Sequence, residues 1–484
     1  MDEVIPVFET DLPPELPARR KGHPLVAWGF IVIMASAITW FQSFRSEERA
    51  VKTEERAGLR IMQMQGRSII GIAQFFPSPS SPQQIQTLNT GTIPRRLQAI
   101  ILEGELNGPK KAQELLHDLD HKIDLNAVQL SEQDRRLRQI LSKVYADYVD
   151  EKYDAPSLSV SDRDYLREKL GWFGELALAP AQGSPEARER VLAPARRTAL
   201  VLLGAGTLGL MSAAAGFFGM IFLLIFYYMG HLRRGLMTGI RYGGLYAETF
   251  AVWMALFLGL EFVVGIFAGE KYRFALLGLA MLSSLIALGW PVFRGVPWRQ
   301  VREDIGWTSG RWPILEPLFG PAGYAMTLPM LGIGILMMTV FMGFKNALSP
   351  INQDNYFGPV EQPSHPVMED LLTGNWLRIV QVIVIAAIVA PIVEETMFRG
   401  VLYRHLREAT ARWGVTASVV VSGLLVSFVF AVIHPQGWIA VPALMALAFG
   451  FTLLREWRGT LIPSMVAHGI NNGMLTVVLI LAAG

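Results

Sequence analysis

The sequence predicts an all-α, polytopic membrane helix bundle with a soluble, mostly helical domain inserted near its start. Three observations predict it. Apolar runs long enough to cross a bilayer recur after Arg197. The residues from about 45 to 197 are rich in charge and glutamine instead. Over 484 residues the chain is 51% hydrophobic and 17% charged. That is too apolar for an ordinary soluble protein and too charged for a bare set of spans, so a mean hydropathy of +0.34 averages two different parts.

A polar, proline-rich leader, residues 1–23, contains Arg19-Arg20-Lys21 and is expected in the cytoplasm. The apolar run at 24–44 is long enough to span, given about 20 residues per crossing. Ala35-Ser36-Ala37 resembles a signal-cleavage site, but it lies inside that run and the leader before it is long, so an uncleaved anchor is expected. Residues 45–197 read as a soluble helical extracytoplasmic domain. Leu97, Ile100 and Ile101, and then Leu137, Ile140, Leu141 and Val144, recur at helical spacing. Phe76-Pro77-Ser78-Pro79 opens a loop. His117 and His121 are four apart beside Asp118 and Asp120. Without a third ligand in view they read as a solvated helix face, not a metal site.

Residues 198–369 carry further spans, and 370–484 the residues of chemical interest. The spans fall near 199–229, 245–268, 274–293, 320–343, 374–398, 415–434, 438–454 and 460–482, nine with the first. Basic residues cluster in alternate loops: Arg233/Arg234/Arg241, Arg294/Arg299/Arg302, Arg404/Arg407/Arg412 and Arg455/Arg458. The positive-inside rule then places the N-terminus in the cytoplasm and 45–197 outside, in a membrane expected to be the bacterial cytoplasmic one. The 344–372 loop, with Lys345 its only basic residue, falls outside as well. Arg196 and Arg197 border a long domain, where the rule counts for little.

Several chemistries are excluded. Cysteine is absent, so no disulfide, thiol nucleophile or cysteine-based metal site exists. There is no H-E-x-x-H, no G-x-S-x-G and no glycine-rich phosphate loop. No basic block suits nucleic acid, and a net charge of +2 says nothing about partners. Ser422, Ser427 and Ser464 read as helix-packing residues.

Three patterns remain, and ionisable groups in apolar surroundings mark functional sites. The first is Glu394-Glu395-Thr396-Met397-Phe398-Arg399. Glu395 and Arg399 share a helix face and can pair, leaving Glu394 free to act as a base. The plain alternative is that the acidic pair opens a loop at the end of its span. The second is Phe430-Ala431-Val432-Ile433-His434, where the plain alternative is an interfacial histidine before the turn at Pro435. The third is His468-Gly469-Ile470-Asn471-Asn472, with His468 and Asn472 one turn apart inside a span. A carboxylate–imidazole pair can deprotonate water while another imidazole and an amide donate to an oxyanion. The same groups could instead ligate zinc through Glu394, His434 and His468. Hydropathy leaves one conflict: Glu394 falls near the inner end of one span and His434 near the outer end of the next.

These patterns resemble those of the CAAX prenyl protease type II and bacteriocin-processing (CPBP, or Abi) family of intramembrane proteases. That family carries E-E-x-x-x-R, F-x-x-x-H and H-x-x-x-N/D in order, matched here by Glu394-Glu395 with Arg399, Phe430 with His434, and His468 with Asn472. The resemblance covers roughly residues 370–480, with a weaker echo at Arg302-Glu303-Asp304-Ile305-Gly306-Trp307, and does not reach 45–197. It implies an intramembrane endopeptidase in which Glu394 and His434 activate water, His468 and Asn472 support the oxyanion, and Glu395, Arg399 and Phe430 organise the site. Its substrate would be a membrane-associated protein or peptide, and the 45–197 domain would be free to bind a protein partner. Metal dependence stays open, no cofactor being required and zinc being the one candidate. Two other classes compete: an inert relative serving as a membrane scaffold or immunity protein, and a proton-coupled transporter. The intact residue set argues against the first, and the absence of internal repeats against the second.

Overall fold

The computed structural model describes residues 22–44, 46–76, 85, 88–126, 128–231, 236, 241–269, 271–348, 370–372 and 375–484. The leader up to residue 21, the proline-rich loop after Phe76 and the 349–369 stretch lie outside them. Among the described residues the protein is all-helical, without a β-strand. Nine of these helices are long and apolar enough to cross a membrane, matching the expected number.

Residues 46–195 build a helical unit around a core of their own. Leu97, Ile100, Leu137, Leu141, Val144 and Phe173 are buried together in it, including the positions that helical spacing picked out. Local chemistry starts its helices. Ser131 accepts a hydrogen bond from the Asp134 backbone N–H at 3.1 Å, and Ser159 does the same for Asp162 at 3.1 Å. Pro94, Pro109 and Pro185 stand in first turns, where no N–H is missed. Lys122 pairs with Asp118, and Arg138 with Asp120, so the acids around His117 and His121 are spent on surface ion pairs. The expected boundary at 197 is not a break. Pro185–Tyr228 is one helix of 44 residues, about 66 Å long and twice the ~30 Å of a hydrocarbon core. Its first turns bury Val191 and Ala195 in the helical unit, and its later turns expose Leu208, Leu210 and Phe218.

The spans pack through small residues, as lipid-embedded helices must when no hydrophobic effect drives them together. At Gly216 an added Cβ would sit 1.9 Å from the Ala325 carbonyl oxygen, so these two helices touch backbone to backbone.

One span departs from expectation. The acidic helix does not end near 398 but runs from Trp376 to Ala409. Arg404, Arg407 and Glu408, read as loop residues, are buried within it. Their charges are compensated locally. Arg404 lies 3.7 Å from Asp304 and 3.7 Å from Glu408, and Arg407 lies 3.1 Å from Glu456. The hydroxyls of Tyr242 and Tyr246 donate to Asp304 at 2.6 and 2.8 Å, and that of Tyr403 to Glu456 at 2.8 Å. Arg455, also assigned to a loop, is buried and donates to the Asp304 carbonyl at 3.2 Å. Neutralised in this way, charged residues continue a helix that hydropathy alone would end.

Candidate active site

The longer acidic helix removes the conflict of depth. Glu394 lies 15 residues, about 22 Å, before Ala409. After a short turn, Val415–Ile433 climbs back by 19 residues, about 28 Å. Glu394 and His434 therefore arrive at similar heights. Glu394 is not at the end of its helix, and no loop begins there.

The backbone around Glu394 is irregular in a way the sequence explains. Ile385–Val389 and Glu395–Leu402 are π-helical, a form concentrated at functional sites. Ala390 N–H reaches back five residues to the Ile385 carbonyl. The next bond in that register would join residue 391 to Ala386, but Pro391 has no N–H. The orphaned Ala386 carbonyl is taken by the Asn472 side-chain Nδ2 at 2.8 Å. Gly469 permits this approach, because a Cβ there would lie 2.5 Å from the Ala387 carbonyl oxygen.

The two carboxylates are treated differently. Glu395, 0% exposed, forms an ion pair with Arg399 Nη1 at 2.9 Å, and its same oxygen accepts from His468 Nδ1 at 2.9 Å. Arg399 donates its Nη2 to the Ala448 carbonyl at 3.0 Å, and its guanidinium lies over Phe430 at 4.7 Å and Phe451 at 5.6 Å. Phe451 stacks on the His468 ring at 5.3 Å. Glu394 is 18% exposed, and its Oε2 has no hydrogen-bond partner among the described residues. That oxygen faces His434 Nε2 at 3.8 Å and His468 Nε2 at 3.7 Å. Both separations are too long for direct hydrogen bonds and wide enough for a water touching both groups.

His434 stands at the exit of its helix with φ −76° and ψ 144°. Pro435 imposes that extended conformation, so the interfacial-turn alternative is correct about local shape while the residue still reaches the site. Its Nδ1–H donates to the Phe430 carbonyl at 2.6 Å, and the two rings lie 4.0 Å apart. The remaining carbonyls of this helix end are also capped. His434 N–H serves Ala431 at 3.3 Å, and Gln42 Nε2 of the first helix serves Ile433 at 3.0 Å. The Thr39 hydroxyl, bonded to Ala35 at 2.8 Å, also lies 3.4 Å from the Val432 carbonyl.

These bonds fix tautomers. With Nδ1–H donated, each neutral histidine presents Nε2 as an acceptor toward Glu394. Ionised, Glu394, Glu395 and Arg399 together carry one net negative charge. Protonated His468 would present Nε2–H as a donor.

Glu394, Glu395, Arg399, Phe430, His434 and His468 thus come together. Asn472 does not touch the Glu394 carboxylate; it holds Ala386, and its Oδ1 accepts from Asn471 Nδ2 at 3.0 Å. Among the described residues no group of three or more histidines and acids is arranged to hold a metal ion. Ser464 donates to the Leu461 carbonyl at 3.0 Å, and Ser422 bonds Thr410 at 2.9 Å, both in packing roles.

Sequence reasoning missed three contributors. Gln42 carries no motif. Tyr324, whose hydroxyl lies 3.4 Å from Asn471 Oδ1, carries none either. Glu261 was legible, as the lone carboxylate in Leu256-Phe257-Leu258-Gly259-Leu260-Glu261-Phe262. It is half-buried within the Leu245–Phe267 span.

No curated protein and no solved structure matches the chain. The segment that carries Glu394, His434 and His468 does match a family: residues 376–474 fit the model of the type II CAAX prenyl endopeptidases, Rce1-like, which is a protease family of the membrane.

Proposed function

We propose that this protein is an intramembrane endopeptidase that hydrolyses a peptide bond of a membrane-associated protein or peptide with a water activated by Glu394 and His434. The observation that carries the reading is the convergence of two imidazole Nε2 atoms on one unpartnered carboxylate oxygen, at 3.8 and 3.7 Å.

The chemistry follows from the fixed tautomers. A water between Glu394 Oε2 and His434 Nε2 donates to both. Glu394 takes its proton, and the resulting hydroxide attacks the scissile carbonyl carbon. The carbonyl π electrons move to oxygen, and the oxyanion is met by the Nε2–H of protonated His468 and by the second N–H of Asn472 Nδ2. Collapse breaks the C–N bond. Glu394 returns its proton to the leaving amine and is a carboxylate again. Glu395 and Arg399 hold His468 in its tautomer, as a carboxylate does in other imidazole-based sites. Every step uses groups of this chain. A zinc ion on Glu394, His434 and His468 would act instead as a Lewis acid. Activity should therefore survive exhaustive chelation; loss on chelation and return with zinc but not magnesium would make those three residues ligands.

The remaining basic loops support an orientation with the N-terminus inside the cytoplasmic membrane and the 46–195 unit outside it, available to a protein partner. Protease added to spheroplasts should digest that unit, and digestion only after lysis would reverse the assignment.

The direct test uses purified protein and an internally quenched, farnesylated peptide ending in a C-a-a-X sequence, incubated in H₂¹⁸O. One cut, with ¹⁸O entering the new carboxylate, is expected. No product from this peptide or from membrane-embedded reporter segments would favour the inert or the transporting alternative.

A further inference from the structure

Glu261 takes no part in the chemistry above, yet it stands six residues before the end of Leu245–Phe267, a span that carries no other charge after its first turn. Among the described residues it has neither a hydrogen bond nor an ion pair. A carboxylate in hydrocarbon needs a proton, a cation or a water-filled cavity, and such residues mark substrate paths.

Contacts between the two helices locate it. At one end of the helix the Tyr242 N–H donates to Glu408 at 2.8 Å. Further along, the rings of Phe250 and Trp253 pack on Phe398 at 5.2 and 5.7 Å. This helix therefore runs antiparallel to the acidic helix. Phe257 continues the same face, 5.2 Å from Trp253, and Glu261 follows one turn later. Extending that register sets Glu261 level with about residue 389, roughly 7 Å beyond Glu394 on the side away from Arg404. This register sets Glu261 and Glu394 on packed helices, offset along them by less than two turns.

We infer that Glu261 is a substrate-binding group, a subsite for a basic side chain of the substrate lying next to the scissile bond on the side away from Arg404. The inference rests on the proposed peptidase activity. A lysine or arginine there would give the carboxylate its missing counter-ion, and a substrate acid at the same place would meet two like charges. Recognition by charge sets which peptide enters, and the reacting bond is left to Glu394.

The test uses full-length purified protein and farnesylated, internally quenched C-a-a-X peptides. The peptides differ only in carrying Lys, Gln or Glu at one of the positions flanking the cut. Wild type should favour Lys over Glu in kcat/KM by roughly tenfold or more at one such position, as charge complementarity predicts. Glu261→Gln should flatten that ratio, and Glu261→Lys should invert it. The ratio is internal to each variant, so a loss of folded protein cannot imitate the result. If wild type shows no charge preference at any position, or Glu261→Gln keeps the preference, the subsite does not exist. Failure of the underlying reading looks different, since wild type would then cleave none of the peptides, whatever their charge.

Discussion

Two clusters of buried charge lie on the acidic helix, and they are built to opposite ends. Around Arg404 and Arg407 three carboxylates, Asp304, Glu408 and Glu456, face three arginines, 404, 407 and 455. Each of those carboxylates is held. Asp304 accepts from two tyrosines, Glu456 from Tyr403 and Arg407, and Glu408 from the backbone N–H groups of Tyr242 and Gly243 at 2.8 and 2.7 Å. Around Glu394 only Glu395 is tied, through the one oxygen that meets Arg399 and His468. Glu394 keeps an unpartnered oxygen aimed at two imidazoles. The difference teaches that burial and charge do not distinguish a lock from a reactive site; the partners of each carboxylate do. A carboxylate paired with arginine or tyrosine fixes a helix, and Glu394, which faces only two imidazoles across a water-sized gap, is available for chemistry.

The contrast can be broken first at the lock. Glu456→Ala strands Arg407 in the interior and should cost about 3–5 kcal/mol, read as a sharp fall in folded protein and in Tm. Molecules that do fold should still cleave at near the wild-type rate. A variant that accumulates normally but has lost turnover would mean that this cluster, too, belongs to the chemistry.

A smaller effect is expected where the first helix caps the His434 helix. Gln42→Leu leaves the Ile433 carbonyl without its donor, a cost of about 1–3 kcal/mol. Because Ile433 adjoins His434, part of that cost should appear as a several-fold drop in kcat with little change in KM. Unchanged kcat would show that His434 is held by Pro435 and Phe430 alone.

The smallest effect is expected at Ser427, buried with an Oγ that has no hydrogen-bond partner among the described residues. Ser427→Ala should change stability by no more than about 0.5 kcal/mol and leave turnover intact. A loss of turnover would restore a serine nucleophile to consideration.

Much of this was legible in the sequence, because each legible feature is local. Apolar runs mark spans through their length alone, and Glu395 pairs with Arg399 because four residues make one helical turn. The length of the acidic helix was not legible. Arg404, Arg407 and Glu408 look like a loop until Asp304 and Glu456, far away in sequence, cancel them. Gln42 is likewise 391 residues from the carbonyl it caps. Glu261 falls between the two cases. A lone acid in an apolar run is visible, but its place beside Glu394 depends on which face of the helix packs on Phe398. The bond from Asn472 to Ala386 was also hidden, since only the π-helical register shows why Pro391 leaves the Ala386 carbonyl in need of a donor.

The proposed division between Glu394 and Glu395 is the central claim, and one paired measurement tests it. Glu394→Gln and Glu395→Gln are purified side by side, and each is scored for folded yield, Tm and cleavage per folded molecule. Glu394→Gln should keep wild-type yield and Tm while its cleavage falls by about 10²–10⁴, the range of a lost general base. Glu395→Gln should lose yield and Tm, because Arg399 is left as an unpaired buried charge. Equal yields with equal activities, or a Glu394→Gln protein that cleaves at the wild-type rate, would contradict the account.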